Sequence, residues 1–240
     1  MAKNGPTAQT VRPRASQRKA RSTSVDHKAR PPQQARSQRR FERILDATRE
    51  LLKDSNIEDL SFSDIAARAG VSAPSVHYMF PSMSALVTEL ISDFHRQYMA
   101  EFHQMENHLA MTEVPSWQEW IRRMADSNRN YFNENRDISE LALGPLMNRA
   151  TSQAITAVNT AFANSISRSL QRLFLLPEQP DLPRKMLRAL EVFDGLWGRA
   201  YLEQGRIDEV TFEESLHIVI AYLRTILPEN LVPRGHTPEA

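Results

Sequence analysis

The chain has 240 residues, 41% hydrophobic and 25% charged, an ordinary balance for a globular protein with one large or two modest domains. Cysteine is absent, which excludes disulfides and thiolate metal sites, and no apolar run approaches the roughly 18–20 residues of a bilayer-crossing helix. The net charge of +1 hides a division: residues 1–40 carry eleven Lys or Arg against the single acid Asp26, leaving nineteen basic and twenty-eight acidic residues in the remainder. Such asymmetry points to a polyanion-binding end on an acidic body.

Residues 1–35 contain no aromatic residue, only Val11 and Val25 as larger aliphatics, and four prolines, Pro6, Pro13, Pro31 and Pro32. They cannot bury enough apolar surface to offset their ordering entropy, so a disordered basic arm is predicted. Three readings of it stand: a solvated tail, an arm laid along phosphate or into a minor groove, and a transit peptide, against which its missing apolar face counts. No secretory h-region lies near the start, and the expected compartment is the cytoplasm.

Phe41, Ile44, Leu45, Thr48, Leu51 and Leu52 recur at helical spacing and predict a helix over 36–55, with Asn56 able to adopt a left-handed conformation after it. Ser61 and Asp64 form a variant capping box, and Phe62, Ile65, Ala66 and Ala69 then share one face up to Gly70, the expected left-handed C′ residue. Ser72 is the expected cap of a second short helix with Pro74 in its first turn, where a missing N–H costs little. Val76, Met79 and Phe80 form its inner side, and Pro81 stops it. Ser72, Ala73, Ser75, His77 and Tyr78 are left outward or along the edges. Two short capped helices about a glycine turn, docked on a longer one, describe a helix-turn-helix DNA-reading head over 36–82.

From residue 83 to 228 the pattern is helical almost throughout, with no alternating β-branched run and no Asn-Gly hairpin turn. A long stripe from Leu86 to Leu109 suits a connector from head to body. A helix begins at Pro115-Ser116, Gly144-Pro145 should split the next segment, an Ala/Ser-rich helix runs over 154–176, and Pro177, Pro180 and Pro183 mark a loop. Two last helices are predicted at about 184–204 and 211–227, and 229–240 is expected to be a flexible tail. The fold class is therefore all-α: a three-helix head followed by a larger helical body.

The run from Ile44-Leu45-Asp46-Ala47 through Asp64-Ile65-Ala66 and Ala69-Gly70-Val71-Ser72 to Val76-His77-Tyr78-Met79-Phe80-Pro81-Ser82 resembles the tetracycline-repressor (TetR) family of bacterial transcription regulators. It covers about 50 of 240 residues. The resemblance implies a homodimer of all-helical subunits, usually a repressor of a palindromic double-stranded operator released by a small molecule. It also implies base-facing positions at Ser72, Ala73, Ser75 and His77, a phosphate contact at Tyr78 and another near Ser61. Two departures stand out: Met83 replaces the Lys that many members carry, and Asn56 replaces a loop Gly.

Arg36, Arg39, Arg40 and Pro74 complete the DNA-binding set expected from charge and position. The second short helix lacks Arg, Asn and Gln, the side chains that make bidentate base contacts, so part of the specificity is expected from DNA shape and outlying positive charge. For an effector, Phe94, His95, Tyr98, Phe102, Trp117, Trp120, Met124, Asn128, Leu143, Met147 and Phe162 are the candidate pocket residues, which favours a hydrophobic or aromatic ligand. For the dimer, Leu187, Leu190, Phe193, Trp197 and Tyr201 form one stripe and Leu216, Val219, Ile220 and Leu223 the other; either a two-fold four-helix bundle or intrachain core uses such stripes. His95, His103, Glu106 and His108 share a helix without an i, i+4 His pair, so no metal or cofactor is expected. No nucleophile motif or phosphate loop appears, and no enzymatic activity is expected. A sequence-tolerant architectural DNA binder is the alternative function, and a helical enzyme the more distant one.

Overall fold

The computed structural model describes residues 35–111, 116–145, 148–178 and 180–234. The predicted arm lies almost wholly outside them. The head begins with α1 (Ala35–Leu52), whose Phe41, Ile44, Leu45, Thr48 and Leu52 are buried as its stripe predicts. A single 3-10 turn (Ile57–Asp59) leads to α2 (Phe62–Ala69) and α3 (Ala73–Met79). Phe80 closes the small core by stacking on Phe41, ring centroids 5.0 Å apart. Asn56 does not use the left-handed conformation open to it: its φ is −81°, and it serves as the extended cap of the 3-10 turn.

The body consists of α4 (Met83–Met111), α5 (Trp117–Glu134), α6 (Arg136–Ala142), α7 (Arg149–Leu173), α8 (Leu182–Gln204) and α9 (Glu209–Leu223). Ser82 Oγ caps α4 by accepting from the Ala85 N–H at 3.1 Å. Gly144 ends α6 as expected of Gly144-Pro145; a Cβ there would strike the Glu140 carbonyl, so the chain can turn only without a side chain. α7 packs on α4 and α8, and α8 on α9. Polar pairs lock α5 to the α9 end: Arg122 grips Glu213 with two nitrogens at 2.5 and 2.8 Å, and Asn133 exchanges two hydrogen bonds with the Ile207 backbone.

One expectation is corrected. Residues 229–234 are docked rather than loose: Val232–Pro233 pair antiparallel with Phe174–Leu175, and Leu231 is buried. This two-residue ladder is the sheet present among the described residues, and it is too short to carry a periodicity signal. Trp117 holds the start of the same segment by donating to the Pro228 carbonyl at 2.9 Å. No helix among the described residues is long and apolar enough to cross a membrane.

Candidate nucleic-acid interface and effector cavity

The turn between α2 and α3 is built as its residues dictate. Ser61 Oγ accepts from the Asp64 N–H, and the Asp64 carboxylate accepts from the Ser61 N–H at 3.0 Å, closing a capping box. The Ser61 hydroxyl, which also donates to the Asp64 carboxylate, and then the Ser61 N–H hold that carboxyl below its ordinary range. Gly70 sits at φ +61° and ends α2. Arg43 of α1 then donates to the carbonyls of Ala69 and Gly70, the latter at 2.9 Å, satisfying acceptors that the end of α2 leaves without intrahelical partners. Nothing in the local sequence reveals that contact, since it joins residues 27 apart.

α3 presents Ser72, Pro74, His77 and Tyr78 to solvent, with Tyr78 65% exposed, while Ala73 and Ser75 are half-buried. Ser72 precedes α3 without making a side-chain cap; its hydroxyl instead meets that of Ser75 at 2.9 Å. The His77 ring stands edge-on to Phe62 at 4.6 Å, which orients the imidazole from α2. Arg36 and Arg39 are exposed at the start of α1, Arg40 is half-buried and Ser61 exposed. Met83 packs partly buried against the core.

The head is fastened to α6. Arg136 donates to the Leu52 carbonyl, to the Ser55 carbonyl at 2.7 Å and to Asn56 Oδ1 at 2.7 Å. Glu140, buried, accepts from the Ile57 N–H at 2.9 Å and from the Tyr201 hydroxyl of α8 at 2.7 Å. Burial first, and then the Glu140 contact, raise the Tyr201 phenol well above its ordinary value. An Arg49–Asp93 ion pair ties α1 to α4.

Ala142, two residues beyond Glu140, lines a cavity of about 80 Å³ inside the body. α4 contributes Phe94, Tyr98 and Phe102, α5 contributes Trp120, Met124 and Asn128, and α7 contributes Phe162. Tyr98 donates its hydroxyl to Asn128 Oδ1, and burial raises that phenol strongly. Three candidates lie elsewhere. Trp117 is buried beneath the C-terminal segment, Leu143 is buried with its carbonyl close to Gly198, and His95 stands behind the wall, its ring 6.1 Å from that of Phe162. Burial lowers the His95 pKa, with Arg96 adding to it. Met147 is outside the described residues. Asn159 of α7 and Asp194 of α8 stand on the same wall, polar residues that aromatic patterning does not reveal. Asn159 Nδ2 donates to the Asp194 carboxylate, and burial pushes that carboxyl up to about 6.

The candidate dimer stripes lie largely in this chain's own core. Phe193, Trp197, Tyr201, Leu216, Val219 and Leu223 are buried, and Leu187, Leu190 and Ile220 are half-buried. Several of them face the cavity, and the Trp197 indole N–H donates to Ser215 Oγ at 2.9 Å. The outward sides of α8 and α9 carry Leu202, Val210 and Ile218, 57%, 66% and 48% exposed.

A capped helix-turn-helix on a cavity-bearing helical body is the architecture of one class of DNA-binding transcriptional regulators. Within that class, residues 44–90 match the model of the bacterial regulatory proteins of the tetR family, so the chain resembles that family in sequence over its head. The resemblance in fold extends over most of the chain. A TetR-family transcriptional regulator from Streptomyces coelicolor is 23% identical, with 79% of this chain and 98% of that one covered and a TM-score of 0.59. A TetR transcriptional regulator from Rhodococcus sp. RHA1 is 15% identical (78% and 96% covered, TM-score 0.55). The fatty acid degradation regulator FadR from Bacillus halodurans is 13% identical (77% and 96% covered, TM-score 0.55). At these identities the likeness is one of fold. Comparison with curated proteins finds no match.

Proposed function

We propose that this chain is a homodimeric repressor that grips a palindromic operator with two heads and releases it when a small hydrophobic or aromatic molecule occupies the cavity. One observation carries the reading: α6 reaches the cavity through Ala142 and holds the head through Glu140 and Arg136 within the same two turns. A ligand that displaces α6 has no slack through which to leave the head unmoved. Release requires the ligand to bind the non-DNA-binding arrangement more tightly than the other.

In this reading Ser72, Pro74, His77 and Tyr78 enter the major groove or meet its edge, with Ala73 and Ser75 beneath them. Ser61, Arg36, Arg39 and Arg40 lie along phosphate. Pairing runs through the outward sides of α8 and α9, since their inner stripes are occupied, and sets the heads about one DNA turn, roughly 34–36 Å, apart. The protein works in the cytoplasm, on the nucleoid when bound.

Nuclease footprinting upstream of the protein's own gene tests the proposal. A protected palindrome, lost on addition of an extract fraction or compound that raises the melting temperature, is the expected result. Diffuse protection independent of sequence would replace the repressor with an architectural binder, and no protection would remove DNA from the account.

A further inference from the structure

The cavity wall is not neutral. Asp194 brings a carboxylate to it, and among the described residues no Lys, Arg or His lines it. The partner present is the Asn159 amide, which donates one hydrogen bond and no charge. Glu191, the nearby charge that acts on Asp194, opposes its ionisation further. This half-buried carboxylate lacks the counter-charge that desolvated ions ordinarily require. Around it stand ring faces and edges: Phe162 lies 4.9 Å from Tyr98 and 5.2 Å from Phe102, and Phe193 lies 4.8 Å from Trp197. Aromatic faces attract cations through their quadrupole, and the attraction grows as water is excluded. The Trp120 indole N–H, buried on the same wall, has no acceptor among the described residues and leaves a donor for a ligand oxygen.

From the unpaired Asp194 carboxylate set among aromatic rings we infer that the cavity takes a cationic ligand, an amine carried on an aromatic or compact apolar body. The inference rests on the reading of the cavity as an effector site and gives that effector its charge. The ammonium pairs with Asp194 between α7 and α8, and the apolar body lies among the rings of α4, α5 and α7. Anionic ligands, fatty acids and aromatic acids among them, meet a like charge with nothing to offset it.

Three compounds on one skeleton test the charge alone: phenethylamine, 2-phenylethanol and phenylacetate, titrated calorimetrically into the full-length protein. The amine is expected to bind at least tenfold more tightly than the alcohol, with phenylacetate weakest. In Asp194→Asn, which removes a desolvated charge without altering shape, amine and alcohol should bind within twofold of each other. Asp194→Ala should behave likewise and guards against a peculiarity of the amide. Phenylacetate binding as well as the amine, an amine preference that survives both substitutions, or no binding by any of the three overturns the inference. A parallel measurement of operator binding separates the two readings. Asp194-dependent amine binding that leaves DNA affinity unchanged removes the effector function and keeps the cation site. Release by the alcohol or the acid without amine preference keeps the effector function and removes the cation site.

Discussion

The Ile57 N–H donates to Glu140 Oε1 across eighty-three residues of chain, and the same carboxylate receives the Tyr201 hydroxyl through its other oxygen. One buried side chain thus joins the 3-10 turn of the head to two helices of the body. Replacing it with leucine strands a backbone N–H and a phenol in the interior. A loss of about 2–4 kcal/mol in unfolding free energy is expected, from roughly 1–3 kcal/mol per unsatisfied donor. Glu140→Gln, which keeps one acceptor, should cost less. In the glutamine variant operator binding should persist while its response to ligand weakens. Chemical denaturation and a ligand-release titration read the two effects; full ligand response in Glu140→Gln would deny the link.

Gly70 is the position at which the helix-turn-helix tolerates least. Its φ of +61° is unfavourable for any residue with a Cβ, and a Cβ there would come within 2.9 Å of Arg43 Nη2. Gly70→Ala should therefore destabilise the protein by at least about 1 kcal/mol. It should also push Arg43 off the Gly70 carbonyl and reduce DNA affinity at a temperature where the variant remains folded. Thermal melts paired with gel-shift titrations make the comparison, and a variant as stable and as active as the parent would contradict it.

His77 and Tyr78 should fail differently. His77→Ala removes a single hydrogen-bonding group from the candidate reading surface, so the operator should be distinguished less well from sequence variants. Tyr78→Phe, which removes a hydroxyl expected near phosphate, should weaken binding to all sequences alike. Measured affinities for the operator and a panel of single-base variants separate the patterns. The His77 ring also rests on Phe62, so Phe62→Leu should blunt selectivity without touching the DNA-facing surface.

Asp194 predicts a dependence on pH. Its carboxyl has a pKa of about 6 in the folded chain against an ordinary 3.8, with burial the leading cause. The folded state therefore holds the proton more tightly than the unfolded one. Stability from this group is fully present below about pH 4 and is lost as pH rises through about 6. The shift corresponds to roughly 3 kcal/mol across that window. Asp194→Asn should be the more stable protein at pH 7.5, and the difference should close on acidification. Melting temperatures of both proteins from pH 4.5 to 7.5 provide the test; parallel curves would refute it.

The eight Lys and Arg residues of 1–34 lie ahead of α1, whose first turn already carries Arg36. Deleting 1–34 should weaken operator binding and flatten its dependence on salt, since each phosphate contact contributes about 0.9 to the log–log slope. Equal slopes for the two proteins would leave the arm without a part in DNA binding.

Capping and periodicity made the head legible: Ser61, Gly70 and the 41–52 stripe each have a local signature that tertiary structure did not override. What sequence could not supply was direction. The stripes of α8 and α9 read equally as subunit interface or core, because periodicity identifies a buried face without naming what buries it. Asp194 was visible in principle. Leu187, Leu190, Asp194, Trp197 and Tyr201 keep one helical spacing, and an acid in an apolar row is a signal. Glu140 and Arg136 left no such trace, since their partners lie 61 to 84 residues away in the chain. The docking of 229–234 was likewise invisible, resting on backbone pairing two residues long.

The tryptophans of this protein are Trp117, Trp120 and Trp197, and none lies in the head. Two line the cavity and the third sits beneath the C-terminal segment. Intrinsic emission from the unlabelled protein is therefore an optical channel confined to the body. A change in its colour or lifetime reports events around α5 and α8, and duplex added at the far end contacts no indole directly. Any spectral response to DNA would then be a signal that has travelled through the protein.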